Sequence, residues 1–407
     1  MGCCNKKRIK KIENFGYSES NVHFDQKIEV GNNLDKTDEF IKRRNSSKIA
    51  KEEFIEDKNS LKIGLDNIGA TCYMNATLQC LSNTKGINNY FLKKYKYKKN
   101  DENKKLSNEF YIVIKNLWDK KRNNKSYSPN EFKKTISEMN YLFEGVQAND
   151  SKDLINFLLE QLQTELNIIS EKINNNENNA TMNIQTDKNK LYELFLNNYK
   201  KNYNSMISDS FYGSIQTQSI CQNYRIVKYN YEIVSFCEFP LEQINIYFGK
   251  TPFNINYELV KPEINLNECF NFYQKGEIMT KDNAMYCDLC NITCDSFYIT
   301  KIYKPPKYLI LILNRGKGNI YKCNVKFTEI LDLKSFVENK NCNTLYDLYA
   351  VICHFGPSSM GGHFIAYARN ALNDKLYGYN DSSVTLCKEK NYLTGVPYIL
   401  FYQEIDV

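Results

Sequence analysis

The segment Gly64-Leu65-Asp66-Asn67-Ile68-Gly69-Ala70-Thr71-Cys72-Tyr73-Met74-Asn75-Ala76-Thr77-Leu78-Gln79-Cys80-Leu81 joins a glycine-punctuated loop to an apolar run, with a cysteine at the junction. Gly64 and Gly69 let the backbone turn tightly before Cys72, and the residues from Tyr73 onward favour a buried helix whose N-terminus faces the sulfur. A helix N-terminus favours thiolate over thiol, so Cys72 is a candidate nucleophile. The plainer reading of any single cysteine is a buried structural one. A nucleophile needs a base, and the chain has three histidines. His363 follows two glycines in Gly361-Gly362-His363-Phe364-Ile365-Ala366-Tyr367, where residues without side chains let a substrate backbone run close past the imidazole. His354 has no glycine pair beside it and reads as support for the surrounding structure.

Outward from Cys72, helical spacing marks Tyr73 to Leu81, Leu106 to Trp118, and Asp150 to Leu166 with its stripe Leu154, Phe157, Leu158, Leu162 and Leu166. After about Phe211 the character changes to aromatic and β-branched runs: Ser296 to Tyr303, Tyr308 to Leu313, Leu348 to His354 and Phe364 to Arg369 read as strands. Helices first and strands later predict an α+β fold. Residues 1–60 are charged, polar and without apolar periodicity, and read as a mobile basic leader. Asparagine, lysine and glutamate accumulate at 100–105, 120–125 and 172–190, which read as surface insertions.

The 407 residues exceed one average domain, and an enzyme with subdomains is the natural expectation. The formal charge of +7 comes from lysines scattered among asparagines, without one basic stripe, which argues against nucleic-acid binding. Fourteen cysteines without a regular framework or signal peptide fit reduced thiols in the cytoplasm better than a disulfide scaffold. No apolar run is long enough to span a bilayer. Attachment to one is still expected from Met1-Gly2-Cys3-Cys4-Asn5-Lys6-Lys7-Arg8-Ile9-Lys10-Lys11: Gly2 for myristoylation, Cys3 or Cys4 for palmitoylation, and a basic run for anionic lipid. Lys6 stands where the myristoylation pattern prefers Ser or Thr, and an ordinary basic tail is the alternative.

The cysteine and histidine segments resemble the corresponding boxes of the ubiquitin-specific proteases, the papain-like deubiquitinating enzymes. Further stretches agree in the same order: Asn149-Asp150-Ser151-Lys152-Asp153-Leu154-Ile155-Asn156-Phe157-Leu158-Leu159, Lys304-Pro305-Pro306-Lys307-Tyr308-Leu309-Ile310-Leu311-Ile312-Leu313, Tyr379-Asn380-Asp381-Ser382-Ser383-Val384 and Tyr398-Ile399-Leu400-Phe401-Tyr402. The resemblance runs from about Leu61 to Glu404. It implies a papain-like fold over 61–405, with a helical thumb at about 61–205, β fingers at about 206–300 and a β palm at about 301–405. It also implies a cysteine protease acting at the C-terminal glycine of ubiquitin through a Cys72 acyl-enzyme, with no cofactor needed for the chemistry.

On that resemblance His363 is the base, Asn380 orients its ring, and Asn67 donates to the oxyanion beside the Cys72 backbone N–H. If Asn380 and Asp381 lie on a strand, only one of them faces His363, and Asn380 is preferred. Asn67 also reads as a turn asparagine serving its own backbone. Ubiquitin's tail, on the same resemblance, carries arginines and ends in two glycines. Asp150 and Asp153, at i,i+3 spacing near a helix start, supply acidity for it; they also read as first-turn acids of that helix. Gly361 and Gly362 line the approach.

In the finger region Cys287-Asp288-Leu289-Cys290 has the spacing of a zinc hairpin, but its counterpart Cys221-Gln222-Asn223-Tyr224 has tyrosine in place of a second cysteine. The set Cys221, Cys287, Cys290 is one ligand short. Cys237 or Cys294 could substitute, and a finger that packs without metal is the preferred reading. Two departures from the family pattern, Phe364 for tyrosine and Asn314-Arg315-Gly316 for Lys-Arg-Phe, bear on activity and on modifier choice. The alternatives to a deubiquitinase are a ubiquitin-binding adaptor without turnover and a protease for a ubiquitin-like modifier.

Overall fold

A computed structural model describes residues 63–99, 101–119, 125–169, 188–223, 227–250, 262–287, 290–316, 321–356, 361–387, 392 and 395–406. All of these belong to the unit Ile55–Val407. The leader, Tyr224 and most of 172–190 lie outside the described residues.

The thumb is built from helices α1 (Cys72–Ser82), α2 (Lys85–Lys93), α3 (Lys105–Leu117), α4 (Asn130–Met139) and α5 (Ser151–Leu166). Every residue of α1 is buried. A helix without a solvent face must satisfy its polar side chains internally. Gln79 Nε2 donates to the Ile63 carbonyl at 3.0 Å, the Thr77 hydroxyl to the Tyr73 carbonyl at 2.9 Å, and Asn75 Nδ2 to the Leu65 carbonyl at 3.2 Å. The predicted stripe of α5 is buried at Leu154, Leu158, Leu162 and Leu166, and Ile155 and Leu159 join it. Asp150 is the N-cap, accepting from the Lys152 backbone N–H at 2.8 Å, a favoured end for a helix.

Helix α6 (Lys188–Asn202) and the short α7 (Met206–Phe211) lead to the sheets. Apart from the short parallel pair β1 (Gly64–Leu65) and β2 (Ser126–Tyr127) beside the thumb helices, the strands begin with the fingers, which comprise β3 (Gly213–Cys221) and β4 (Val227–Val234) with two later strands. The chain then crosses through β5 (Cys237–Pro240), helices α8 (Leu241–Tyr247) and α9 (Leu266–Tyr273), and returns as β6 (Glu277–Met279), the hairpin β7 (Met285–Cys287) and β8 (Ile292–Cys294), and β9 (Ser296–Lys304). The finger sheet has the order β4-β3-β9-β6. The palm adds β10 (Tyr308–Asn314), β11 (Leu345–Phe355), β12 (His363–Arg369), β13 (Leu376–Asn380), β14 (Ser383–Leu386) and β15 (Val396–Glu404), in the order β14-β13-β12-β11-β15-β10-β5.

The palm sheet is buried on both faces, so its strands alternate between two cores. Ile310 and Ile312 of β10 face the thumb core with Tyr73, Leu78 and Leu158, whereas Leu309, Leu311 and Leu313 face a second core with Leu241, Ile244 and Phe270. The expected linear division into fingers and palm needs correction here. β5 lies within 206–300 yet pairs in parallel with β10, Glu238 opposite Ile312, and so belongs to the palm. Parallel pairing takes a long crossover, which a consecutive reading of the chain does not follow.

Candidate active site

Cys72 is the first residue of α1 and is 6% exposed. The chain reaches it through Gly69 at φ 120° and Ala70 at φ 48°, so the tight turn expected of the glycine extends to a residue that pays steric strain for it. Helix α1 packs across β12, which begins at His363. The two ends meet there, and Cys72 acts on the His363 imidazole. His363 Nε2 lies 2.6 Å from Asn380 Oδ1, so Nε2 carries the proton that the amide oxygen accepts and Nδ1 is left for the sulfur. Cys72 pushes the imidazole up to about 9; burial opposes it, and Asn380 and the Asp381 charge add to it. The histidine is thereby held as a cation at neutral pH.

Asn380 ends β13, and Asp381 opens the turn into β14 with φ 49°. That left-handed turn swings the Asp381 carboxylate toward the thumb. Its Oδ2 accepts from Asn67 Nδ2 at 2.9 Å and lies 3.9 Å from His363 Nε2, while Oδ1 accepts from Asn75 Nδ2 at 2.8 Å. The Asp381 carbonyl takes the Leu65 N–H at 2.9 Å. Asn67 has the turn role expected of it: its oxygen accepts from the N–H groups of Gly69 and Thr71, at 3.3 and 3.0 Å, and its amide donates to Asp381. The backbone N–H of Cys72 is among those at a helix start that lack intrahelical partners. Gly356, at φ 123°, is required by packing: a β-carbon there would lie 2.8 Å from Gly362 Cα, so the end of β11 and the start of β12 come together beside His363 only with glycine at 356. His354 is 2% exposed, pairs with Phe364 across β11 and β12, and packs at a tilt against its ring with centroids 4.9 Å apart.

Helix α5 starts beside α1. The Ser151 hydroxyl donates to the Tyr73 carbonyl at 3.2 Å and Asn149 Nδ2 to the Tyr73 hydroxyl at 3.5 Å. Across from it stands the palm: the Tyr398 hydroxyl on β15 is 2.8 Å from both oxygens of Asp150, and Lys152 Nζ is 3.2 Å from Glu238 Oε1 on β5. Burial pushes Asp150 up, opposed by the Lys152 N–H and the Tyr398 hydroxyl; burial and then the Asp150 charge push Asp153 up. Arg315 is 2% exposed and ties together the carbonyls of Tyr321, Cys323 and Pro397, while Asn314 Nδ2 holds Glu238 Oε1 at 2.5 Å. The Asn314-Arg315 departure therefore braces the palm edge.

In the fingers Cys294, one of the two cysteines offered as a fourth ligand, joins Cys221, Cys287 and Cys290. The sulfurs of Cys221, Cys287, Cys290 and Cys294 all lie within 4.8 Å of one another, with Cys221 Sγ 3.5 Å from Cys290 Sγ and 3.3 Å from Cys294 Sγ. The β7–β8 hairpin returns Cys294 opposite Met285, which fills the place that the 221–224 spacing left vacant. Cys237 is buried in β5, away from the cluster. Zinc–sulfur bonds of about 2.3 Å in a tetrahedron put sulfurs about 3.8 Å apart, so these four thiols fit a structural Zn²⁺.

Sequence reasoning did not find Asn75, Tyr398 or Glu238. Asn75 had a weak signal, as one of several polar residues inside a helix read as buried; the other two depend on pairing across the palm.

Comparison with known proteins agrees with this geometry. The family model for ubiquitin carboxyl-terminal hydrolase matches residues 63–402. Ubiquitin carboxyl-terminal hydrolase 2 of Bos taurus is 28% identical over 352 residues, covering 84% of this chain and 54% of the relative. Ubiquitin carboxyl-terminal hydrolase 21 of Homo sapiens is 26% identical over 374 residues, covering 84% and 61%. The chain thus spans a little over half the length of these relatives. The structure of the SAGA Ubp8/Sgf11/Sus1/Sgf73 DUB module bound to ubiquitin aldehyde superposes with a TM-score of 0.63 at 19% identity, covering 92% of this chain and 77% of that one, and shows the same α+β fold. With the family model spanning both the Cys72 loop and the His363 strand, this chain belongs to the ubiquitin carboxyl-terminal hydrolase family of papain-like, ubiquitin-specific cysteine proteases.

Proposed function

We propose that the chain is a thiol-dependent deubiquitinase that cleaves isopeptide or peptide bonds at the C-terminal glycine of ubiquitin. The observation that carries this reading is that Cys72, at the start of α1, acts on the imidazole of His363, whose Nε2 is held 2.6 Å from Asn380 Oδ1. The Cys72 thiolate attacks the glycine carbonyl, and Asn67 Nδ2 with the Cys72 N–H stabilises the oxyanion. His363, charged beside the thiolate, gives its proton to the departing lysine amine. The thioester is then hydrolysed by water deprotonated at the same imidazole, and the Cys72 thiolate is restored. Asn380 fixes the ring; an amide suffices because the pair already carries its charges. Asp153 and Asp150 supply acidity for the tail, with Gly361 and Gly362 at its approach. Ubiquitin carrying a C-terminal electrophile should label the protein covalently and leave the Cys72→Ala variant unlabelled. Absence of labelling on the parent chain refutes the reading.

Three further assignments accompany it. Zn²⁺ held by Cys221, Cys287, Cys290 and Cys294 would brace the fingertip and take no part in the cleavage; one equivalent by elemental analysis, lost in Cys290→Ser, is expected. A cytoplasmic location rests on composition alone, fourteen cysteines without the regular spacing of a disulfide framework. Membrane attachment through acylated Gly2 and Cys3 or Cys4 rests on sequence alone, and Gly2→Ala should release the protein from the membrane fraction.

A further inference from the structure

The end of α2 and the residues after it read Leu92-Lys93-Lys94-Tyr95-Lys96-Tyr97-Lys98-Lys99, with a lysine at every position from 93 to 99 except the two tyrosines, and no acid. Charge that is scattered elsewhere in the chain gathers here. All these lysines are exposed, and none forms an ion pair among the described residues; the thumb makes its pairs elsewhere, Lys105 with Glu138 and Lys152 with Glu238. The tyrosines fix the row in place. Tyr95 packs its ring on Phe91 and Tyr111, with centroids 5.1 and 5.5 Å apart, and its hydroxyl donates to Asn108 Oδ1 at 2.8 Å. Tyr97 stacks on the same Tyr111 at 5.5 Å, and Asn108 Nδ2 donates to the Lys98 carbonyl at 2.8 Å. The tyrosines are thus tied to α3, and Lys94, Lys96 and Lys98, on either side of them, stand in solvent. Lys115 of α3, 5.9 Å from the Tyr111 ring centre, is exposed as well.

A fixed row of cations calls for an anionic partner, and the uncharged residues within it indicate which. Leu92 and Tyr97 are exposed large side chains among the lysines. That mixture suits the headgroup layer of a bilayer, where tyrosine places its ring against the apolar side and its hydroxyl in water, and where lysine meets lipid charge. Single-stranded nucleic acid needs open aromatic faces for its bases, whereas Tyr95 is enclosed by Phe91 and Tyr111, and Tyr97 has given one face to Tyr111. The acids that follow do not cancel the row: Asp101 is engaged by the Asn103 N–H, which leaves Glu102. A second basic run, Lys6-Lys7-Arg8-Ile9-Lys10-Lys11, opens the chain, so two separate parts of the sequence carry the same electrostatic signature.

We propose that the thumb row from Leu92 to Lys99 is a docking surface for an anionic lipid bilayer, with the lysines on the headgroup charges and Leu92 and Tyr97 entering the headgroup layer. This contact is separate from acylation at Gly2 and does not depend on it. Its residues are not among the partners of Cys72, His363 or Asn380, so binding and cleavage are separable. Where the deubiquitinase reading holds, the contact directs cleavage to ubiquitin conjugated at a membrane surface.

The test uses the full chain carrying Gly2→Ala, so that acylation contributes nothing, and measures sedimentation with vesicles of phosphatidylcholine alone or mixed with phosphatidylserine. The parent should bind the mixed vesicles, and less so as salt is raised. Replacing Lys94, Lys96 and Lys98 together by glutamine should lower that partition about a hundredfold, from about fivefold for each lysine at an anionic surface. Tyr97→Ala should lower it by a smaller factor. The triple variant should keep the parent's melting temperature and its turnover of ubiquitin bearing a C-terminal fluorogenic amide in solution, which separates lost binding from lost folding. A triple variant that sediments with the mixed vesicles as the parent does, or a parent that binds single-stranded RNA and not the vesicles, overturns the proposal. A parent that binds the vesicles but never turns over the amide supports the docking surface and overturns the deubiquitinase reading alone.

Discussion

Replacing Asp381 with asparagine changes one oxygen into an NH₂ group at a site where both oxygens accept from amides. Asn67 Nδ2 donates to one at 2.9 Å and Asn75 Nδ2 to the other at 2.8 Å, so in Asp381→Asn one of these contacts becomes donor against donor. Neither neighbour rotates away freely. Turning Asn67 over loses its bonds from Gly69 and Thr71, and turning Asn75 over loses its bonds to the Leu65 and Asp66 carbonyls. Asparagine tolerates the φ of 49°, so the turn itself survives. Leaving one donor unsatisfied costs about 1–3 kcal/mol, and an oxyanion donor lost outright costs about 10²–10³ in rate. We expect kcat to fall about 10- to 100-fold with KM nearly constant, because the damage falls on a group that binds charge only as it develops. The assay is turnover of the fluorogenic ubiquitin amide by Asp381→Asn, Asn67→Ala and the double variant. If Asp381 acts through Asn67, the double variant is no slower than Asn67→Ala. Multiplicative losses, or a kcat for Asp381→Asn within threefold of the parent, refute the reasoning.

The His363–Cys72 pair predicts an alkaline limb in kcat/KM with a midpoint near 9, where the imidazolium loses its proton. The limb belongs to the pair rather than to either group alone. The sign follows from the raised value: protonation is maintained below the limb and lost as pH rises through it. Asn380→Ala should move the limb to lower pH, and in Cys72→Ala the imidazole should titrate well below 9 by NMR. Gly356→Ala places a β-carbon 2.8 Å from Gly362 Cα at a φ of 123° and should lower both the melting temperature and activity. Chelation of metal should loosen the finger hairpin, seen as faster amide exchange at 285–294, while a small thiol reagent still reacts at Cys72.

Local pattern was enough for the elements that carry the chemistry. Helix α1 spans Cys72–Ser82 where the apolar run predicts Tyr73 to Leu81, and β12 starts at His363 where the strand pattern predicts Phe364, because burial on one face or both imposes a period on the residues themselves. Helix α6 was not read from the sequence. Its first residues, 188–190, fall in the segment read as an insertion, and of its residues only Tyr192 is buried, held by the rings of Tyr231 and Tyr303 with Leu191, Phe195 and Leu196 half-buried around it. That i, i+3, i+4 set is short and set among asparagines and lysines, and it packs on two distant finger strands.

The same distinction separates the residues of the site. Cys72, His363 and Asn380 each sit in a segment whose local grammar is unusual: a glycine turn into a helix, a glycine pair before a strand, a polar turn. Cys294, Tyr398 and Glu238 sit in ordinary strand sequence and acquire their roles only through register: Cys294 opposite Met285, Tyr398 facing the N-cap of α5, Glu238 opposite Ile312. The missing fourth thiol shows how this misleads. Matching Cys221 to Tyr224 compares positions along the chain, whereas metal ligands are matched in space, and a three-residue strand returning from Cys290 brings Cys294 to within 3.3 Å of Cys221. Charge follows the same rule: Asp150 is legible in sequence as a first-turn acid, but its bond to Tyr398 comes from the palm strand that faces α5 and leaves no local mark.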